Sequence, residues 1–295
     1  MSSPSLRESE LRVGGIRSPL VEAGPEGASE AVVFVHGNPG SARDWDDLVR
    51  RAGEFARAVA IDMPGFGRAE KPRDFDYTVS GYAAHIERVR RALGIERVHL
   101  VLHDFGGPFG LAWAAANPDA FASATLINTG VLIGYRWHVL ARIWRTPGLG
   151  ELLQATTNRP AWRLLLRRGN PRGLPRELVD RMYDDYDRAT RRAVLKLYRA
   201  TDVGGASDVR ARQLAATLHA LDRPALVLWG AADPYIPVEQ AERNREAFPS
   251  AVVQVMPDSG HWPFADDPEG AAAHVIPFLR QMAQANRKPA DHLST

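Results

Sequence analysis

Short apolar runs, rich in β-branched residues and stopped by glycine, proline or asparagine, recur along the chain between stretches of helical period. They are Ala31–Val35, Ala58–Ile61, Val98–Leu102, Ala124–Ile127, Ala225–Trp229 and Val252–Met256. Runs this short and this apolar predict strands buried on both faces. Leu11 to Ile16, with Gly14 and Gly15 at its centre, predicts an edge strand or hairpin. Helical patterns fall between the runs. Val79–Leu93 opens after Thr78 and closes at Gly94, a suitable residue just past a helix end. Phe109–Ala116, Val238–Phe248 and Glu269–Gln284 complete the set. Alternation of buried strands with helices predicts an α/β fold: a mostly parallel sheet covered by helices on both faces.

The alternation stops after about residue 130. From 131 to 218 no strand is apparent, and apolar side chains recur at helical spacing (Trp137, Leu140, Ile143, Trp144; then Leu178, Val179, Met182, Tyr183, Tyr186). Pro147, Pro160, Pro171 and Pro175 divide this stretch into short helices. The expected organisation is a first core segment (1–130), an inserted helical cap (131–218) and a second core segment (219–295). Asn286 to Thr295 is expected to be a frayed tail.

Composition narrows the function. The chain has 295 residues, 45% hydrophobic and 24% charged, which fits a soluble globular protein. No apolar run approaches the ~20 residues of a membrane helix. Met1 to Glu8 lacks the basic and apolar regions of a secretory signal. There is no cysteine, which excludes disulfides, iron–sulfur clusters, thiolate zinc sites and a cysteine nucleophile. A cytoplasmic location is the expectation. Net charge is +2, with basic and acidic residues interspersed, so no nucleic-acid partner is expected. No P-loop or metal-binding helix pattern is present, and Gly106, Gly107 and Gly110 do not make a dinucleotide fingerprint. No cofactor or metal is expected.

The chemistry concentrates at the ends of the predicted strands. Val101-Leu102-His103-Asp104-Phe105-Gly106-Gly107 runs from a buried strand into a helix through a glycine-rich turn. That is a nucleophile elbow, with Asp104 where serine is usual and Leu102 where a glycine is commoner. Asp233 follows the strand ending at Trp229, and His261 follows the strand ending at Met256. His36-Gly37-Asn38-Pro39 follows another strand and can present the Asn38 N–H beside the elbow. With the Phe105 N–H it would form an oxyanion hole. Each residue has a plainer reading alone: Asp104 as a helix N-cap, Asp233 as a turn former before Pro234, His261 as a surface histidine. Nucleophile, acid and histidine in this chain order carry the catalytic reading.

These motifs resemble the α/β-hydrolases with an aspartate nucleophile, the epoxide hydrolases and haloalkane dehalogenases. The resemblance spans His36-Gly37-x-Pro39, Asp62-x-Pro64-Gly65-x-Gly67, the Asp104 elbow, the helical cap, Asp233 and His261. It implies the α/β-hydrolase fold and a small apolar epoxide or haloalkane as substrate, with water as the second reactant. No membrane partner is implied, and a homodimer is compatible with it. A carboxylate displaces a leaving group from saturated carbon and leaves an ester on the enzyme. His261 then activates water, with Asp233 fixing its tautomer.

The leaving group separates the two activities. An epoxide oxygen needs a proton, and the resemblance implies cap tyrosines as donors: Tyr198 within Leu195–Ala200, and Tyr135 as the candidate for a second, with Tyr183 and Tyr186 as rivals. A halide needs N–H donors, and dehalogenases place a tryptophan directly after the nucleophile. Phe105 at that place has no side-chain N–H. Asn38 points the other way, since it stands where many dehalogenases carry a halide-binding asparagine. The missing indole outweighs it, so epoxide hydrolysis is the favoured expectation and haloalkane dehalogenation the alternative. A non-enzymatic ligand receptor is a remoter alternative.

Overall fold

The computed structural model describes residues 4–285. Eight strands form one sheet: β1 (Arg7–Val13), β2 (Ile16–Ala23), β3 (Glu30–Val35), β4 (Arg57–Ile61), β5 (Arg97–His103), β6 (Phe121–Ile127), β7 (Ala225–Gly230) and β8 (Val252–Met256), in the spatial order β1-β2-β4-β3-β5-β6-β7-β8. β1 and β2 make an antiparallel hairpin through Gly14-Gly15, and β2 joins β4 antiparallel. All later pairings are parallel. The six predicted runs are the six parallel strands. The hairpin is longer at both ends than Leu11–Ile16 suggested, because Arg17, Ser18 and Pro19 break the apolar pattern within β2.

The helices are α1 (Asp46–Ala52), α2 (Val79–Ala92), α3 (Gly106–Ala116), α4 (Val139–Arg145), α5 (Leu149–Thr156), α6 (Arg159–Arg168), α7 (Arg176–Asp185), α8 (Arg188–Ala200), α9 (Ala206–Leu221), α10 (Glu239–Arg243), α11 (Pro263–Asp266) and α12 (Pro268–Ala285). α2, α3 and α9 pack as one layer, and α1 packs with α12 as another. Every residue of β4, β6 and β7 is buried, so both faces of the sheet are covered over its centre; β8, expected to be buried on both faces, is instead the edge strand and exposes Val252 and Val255. No helix among the described residues is long and apolar enough to cross a membrane. The expected tail, Asn286 to Thr295, lies outside the described residues.

Helices α4 to α9 all fall between β6 and β7, with no strand among them. Pro160 stands in the first turn of α6, just past the break that follows α5, a position where its missing N–H costs nothing. The boundary expected at 218 falls inside α9, which packs on α3 of the layered core. The helix expected over Val238–Phe248 is shorter: α10 gives way to a 3-10 turn at Asn244–Glu246. The buried Asn244 side chain accepts from Val131 N and donates to the Thr129 and Gln240 carbonyls, tying this turn to the end of β6. Cap and core are joined by ion pairs, Arg181 to Asp44 at 2.8 Å and Lys71 to Asp187 at 3.2 Å.

Candidate active site

The parallel strands deliver their C-terminal ends to one edge, where ligand sites of open α/β sheets form. Asp104 directly follows β5 and has φ of +50°, in the left-handed region that a non-glycine residue seldom occupies. The tight strand-to-helix packing around it dictates small neighbours. A Cβ on Gly106 would lie 2.2 Å from the Val35 carbonyl oxygen. A Cβ on Gly110 would lie 2.4 Å from Leu102 Cδ2, so Gly110 accommodates the bulk that Leu102 brings to the elbow. The Thr129 hydroxyl donates to the Asp104 carbonyl at 2.6 Å and pins the turn to the segment after β6.

The Asp104 side chain meets two of the predicted partners. Asn38 N–H donates to Oδ1 at 2.7 Å, and His261 Nε2 lies 3.4 Å from Oδ2. Gly37 is pressed against this wall: a Cβ there would come within 2.2 Å of Asp104 Oδ1 and 2.6 Å of Phe105 N. On its other side His261 Nδ1 donates to Asp233 Oδ2 at 2.6 Å. Asp233 is held in turn by the N–H groups of Tyr235 (2.7 Å) and Ile236 (3.1 Å) on Oδ1, and by Asn128 Nδ2 (2.8 Å) on Oδ2. The buried Asn128 stands at the end of β6 and also accepts from Gly230 N at 2.9 Å. No motif in the sequence singles out Asn128; in the fold it orients the acid.

His103, His36 and Asp62 support the backbone around the site. His103 donates from Nε2 to the His261 carbonyl at 2.8 Å, and His36 Nε2 accepts from Met63 N at 3.0 Å. Asp62 accepts from Ala42 N (2.6 Å) and Arg68 N (2.9 Å), fixing the turns on either side.

Electrostatics make Asp104 and His261 an ion pair at neutral pH. Burial opposes the Asp104 carboxylate, but the His261 hydrogen bond and charge, with the Asn38 N–H, outweigh it and hold the carboxyl down at about 2. Burial likewise opposes the His261 imidazolium, yet Asp233 and Asp104 together raise it to about 10.

Two cavities meet at Asp104, His138, Tyr198 and Tyr235. The larger, about 550 Å³, runs between α2, α3 and α9 and is lined near Asp104 by Phe105, Pro108, Val131, Leu132, Trp137 and Ile236. That size suits a small organic ligand. The smaller, about 30 Å³, is room for a single water beside His261, Asn38, Trp162 and Trp262. Asn38 Oδ1 and the indole N–H of Trp162 are buried without a hydrogen-bond partner, as is the N–H of Trp137 at the larger cavity.

Tyr198, on α8, borders both cavities. Its hydroxyl accepts from Asn38 Nδ2 at 3.4 Å, which leaves its own proton free to point into the cavity. Burial and the Asp104 charge raise its pKa well above the ordinary tyrosine value. Tyr135 lines the larger cavity, but its hydroxyl donates to the Tyr235 carbonyl at 3.1 Å. Tyr186 borders the smaller cavity and accepts from Gln154 Nε2 at 2.8 Å, while Tyr183 packs beside Trp162 and Arg159. His138, which the sequence reading passed over, borders both cavities. Its Nδ1 accepts from Ala141 N at 3.2 Å, so the ring proton sits on Nε2. Burial, with the nearby His261 charge, lowers its pKa to about 4, and it is a neutral N–H donor at pH 7. Among the described residues no group of three or more His, Asp or Glu is placed to hold a metal ion.

A family model described as the alpha/beta hydrolase fold matches residues 30–268. The chain belongs to that family. Among its relatives within the α/β-hydrolases, a haloalkane dehalogenase of Agrobacterium fabrum is 35% identical over 139 residues, covering 45% of each chain. That match spans less than half of the dehalogenase. A cis-3-alkyl-4-alkyloxetan-2-one decarboxylase of Xanthomonas campestris is 27% identical over 286 residues, covering 90% of this chain and 93% of the relative. The crystal structure of the haloalkane dehalogenase DatA from Agrobacterium tumefaciens superposes with a TM-score of 0.82 at 24% identity, covering 94% of this α/β-hydrolase and 97% of DatA. At that identity the superposition establishes the shared fold.

Proposed function

We propose that Asp104 is a carboxylate nucleophile that attacks saturated carbon, and that the protein is a cofactor-independent epoxide hydrolase. The observation that carries this reading is the surround of Asp104. One oxygen is held by a backbone N–H, the other faces an Asp-paired histidine, and an O–H and an N–H that can serve a leaving oxygen border the same space. Asp104 Oδ2 bonds to an epoxide carbon as the ring C–O bond breaks. The ring oxygen takes its proton from Tyr198, with a hydrogen bond from His138 Nε2–H. Esterification removes the Asp104 charge, which weakens the hold on the His261 proton. That proton passes to the tyrosinate, leaving neutral His261 as the base for the second step. Water attacks Asp104 Cγ and gives a proton to His261, while the N–H groups of Asn38 and Phe105 take up charge on Oδ1. Cleavage of the ester releases a vicinal diol and restores the ion pair. All these groups belong to one chain.

Asp104→Asn should abolish turnover, and His261→Gln should accumulate an adduct heavier than the protein by the mass of the epoxide. Full, stable activity in Asp104→Asn would overturn the reading.

A second reading is favoured by a separate observation. Asn38 Nδ2 and the buried N–H groups of Trp137 and Trp162 are donors suited to a halide, and the Agrobacterium relative is a dehalogenase. With a haloalkane the same attack expels halide, His261 loses its proton to solvent, and water then yields an alcohol. A panel of styrene oxide, a bromoalkane and a cis-dialkyl oxetanone, scored for diol, halide and carbon dioxide, separates the readings. The oxetanone represents the compound class named for the Xanthomonas relative.

A further inference from the structure

The loop that carries His261 is held from above by the cap. His261 N–H donates to the Gly169 carbonyl at 2.9 Å, and Trp262 N–H donates to Asn170 Oδ1 at 3.0 Å. Gly169 and Asn170 form the turn that ends α6. The Asn170 side chain is completely buried, and its Nδ2 donates to the Leu166 carbonyl at 2.8 Å, which fixes the orientation of the amide. The packing is close: a Cβ on Gly260 would lie 1.9 Å from the Gly169 oxygen. A few residues on, Arg172 pairs with Asp267 at 2.9 Å, joining the same two segments again.

We propose that Asn170 is a positioning residue for His261, and that the cap stays docked on this loop through turnover. The proposal rests on the covalent mechanism above. Asp233 fixes one ring nitrogen of His261, and His103 fixes its carbonyl. The loop before His261 is also tied down, by Ala232 N–H on the Ser259 carbonyl at 3.0 Å and Gly260 N–H on Asp266 at 2.6 Å; the cap turn adds the hold on the backbone N–H groups of His261 and Trp262 themselves. Asp104 itself is held by Asn38 and Thr129, from the core. Loss of Asn170 therefore displaces the base and leaves the nucleophile in place. Ester hydrolysis suffers, and ester formation does not.

The experiment is rapid-quench mass spectrometry of Asn170→Ala with styrene oxide. Alkylation is expected to keep its wild-type rate within about twofold, while hydrolysis of the adduct slows on the order of 100-fold, the scale of a misplacement near 1 Å. Asn170→Asp, which keeps an acceptor for Trp262 N–H, is expected to recover most of the loss. The exposed Leu164→Ala on the same helix should change neither step. An adduct in His261→Gln but none in Asn170→Ala overturns the role of Asn170 alone. No adduct in either overturns the covalent reading and this one with it. A second measurement does not depend on folding of the alanine variant. Because the chain has no cysteine, Arg172→Cys with Asp267→Cys can be cross-linked uniquely by a short bis-methanethiosulfonate, each thiolate displacing a sulfinate to leave a link that a reductant cuts. The cross-linked enzyme should retain full turnover; its inactivation, reversed when a cleavable linker is cut, would show that the cap must lift.

Discussion

At the residue scale, the separate duties proposed for Tyr198 and His261 give two measurements. A phenolic proton is needed when oxygen leaves and is dispensable when bromide leaves. Tyr198→Phe should therefore cut diol formation roughly 100-fold or more, as loss of a general acid does, and change halide release by less than tenfold. Equal losses on both substrates would make Tyr198 a packing residue. The ion pair sets a pH dependence of stability. His261 is raised from 6.5 to about 10 in the fold, so its contribution is complete below 6.5 and vanishes as pH rises through 10. Asp104 is lowered from 3.8 to about 2, so its contribution is present above 3.8 and is lost as pH falls towards 2. Urea melts between pH 6.5 and 10 should show wild-type stability falling and His261→Gln lacking that part of the fall; parallel curves would refute the pair. Asp104, Asp233, His261 and Asn38 were legible because each lies within a few residues of a strand end, where sequence distance and spatial distance nearly coincide. Tyr135 and His138 are three residues apart in a loop, and only the path of that loop decides which offers a free proton.

At the element scale, the parallel strands were readable because each carries a run of apolar residues, many of them β-branched, broken by few polar ones, although β8, at the sheet edge, is partly exposed. β2 was not, since its polar residues pair along the antiparallel side of the sheet. The elbow shows a compensation that no local pattern reveals. Leu102 enlarges the strand where it faces Gly110 of α3, whose missing side chain makes the room. Gly110→Ala should cost about 1–3 kcal/mol through overpacking, measured as a shift in the urea midpoint. In a Leu102→Ala background the same change should be neutral or stabilising, because the clash is gone and alanine is the better helix former. A double-mutant cycle would read this as a coupling of about 1–3 kcal/mol; additive effects would place the strain elsewhere. The cap helices follow the same logic at their ends. Asp187 caps α8 by accepting from Ala189 N and Thr190 N, both at 2.8 Å, and so orients the helix that carries Tyr198.

At the scale of the whole molecule, the sequence placed a helical insertion after β6 but could not say which of its side chains reach the core. Asn170, Trp162 and His138 lie far from Asp104 along the chain, and their convergence depends on how several short helices pack. The seam residues Gly169 and Asn170 do not line the larger cavity. The cavity's walls are α2, α3 and α9, with Ala112 and Leu214 among them, and it reaches the polar residues Thr78, Ser80 and Arg210. On the proposal that the seam stays closed, this chamber is the route for substrate, and chain length is what it would select. A larger residue at Ala112 narrows the passage without touching Asp104, His138 or Tyr198. Ala112→Leu should raise KM for a long-chain terminal epoxide by about tenfold, the scale of one or two misplaced methylenes in an apolar site. Propylene oxide, short enough to clear the constriction, should keep its KM and both should keep their kcat. Equal effects on the two substrates would mean that entry lies on the cap side, and would also require the Asn170 seam to open.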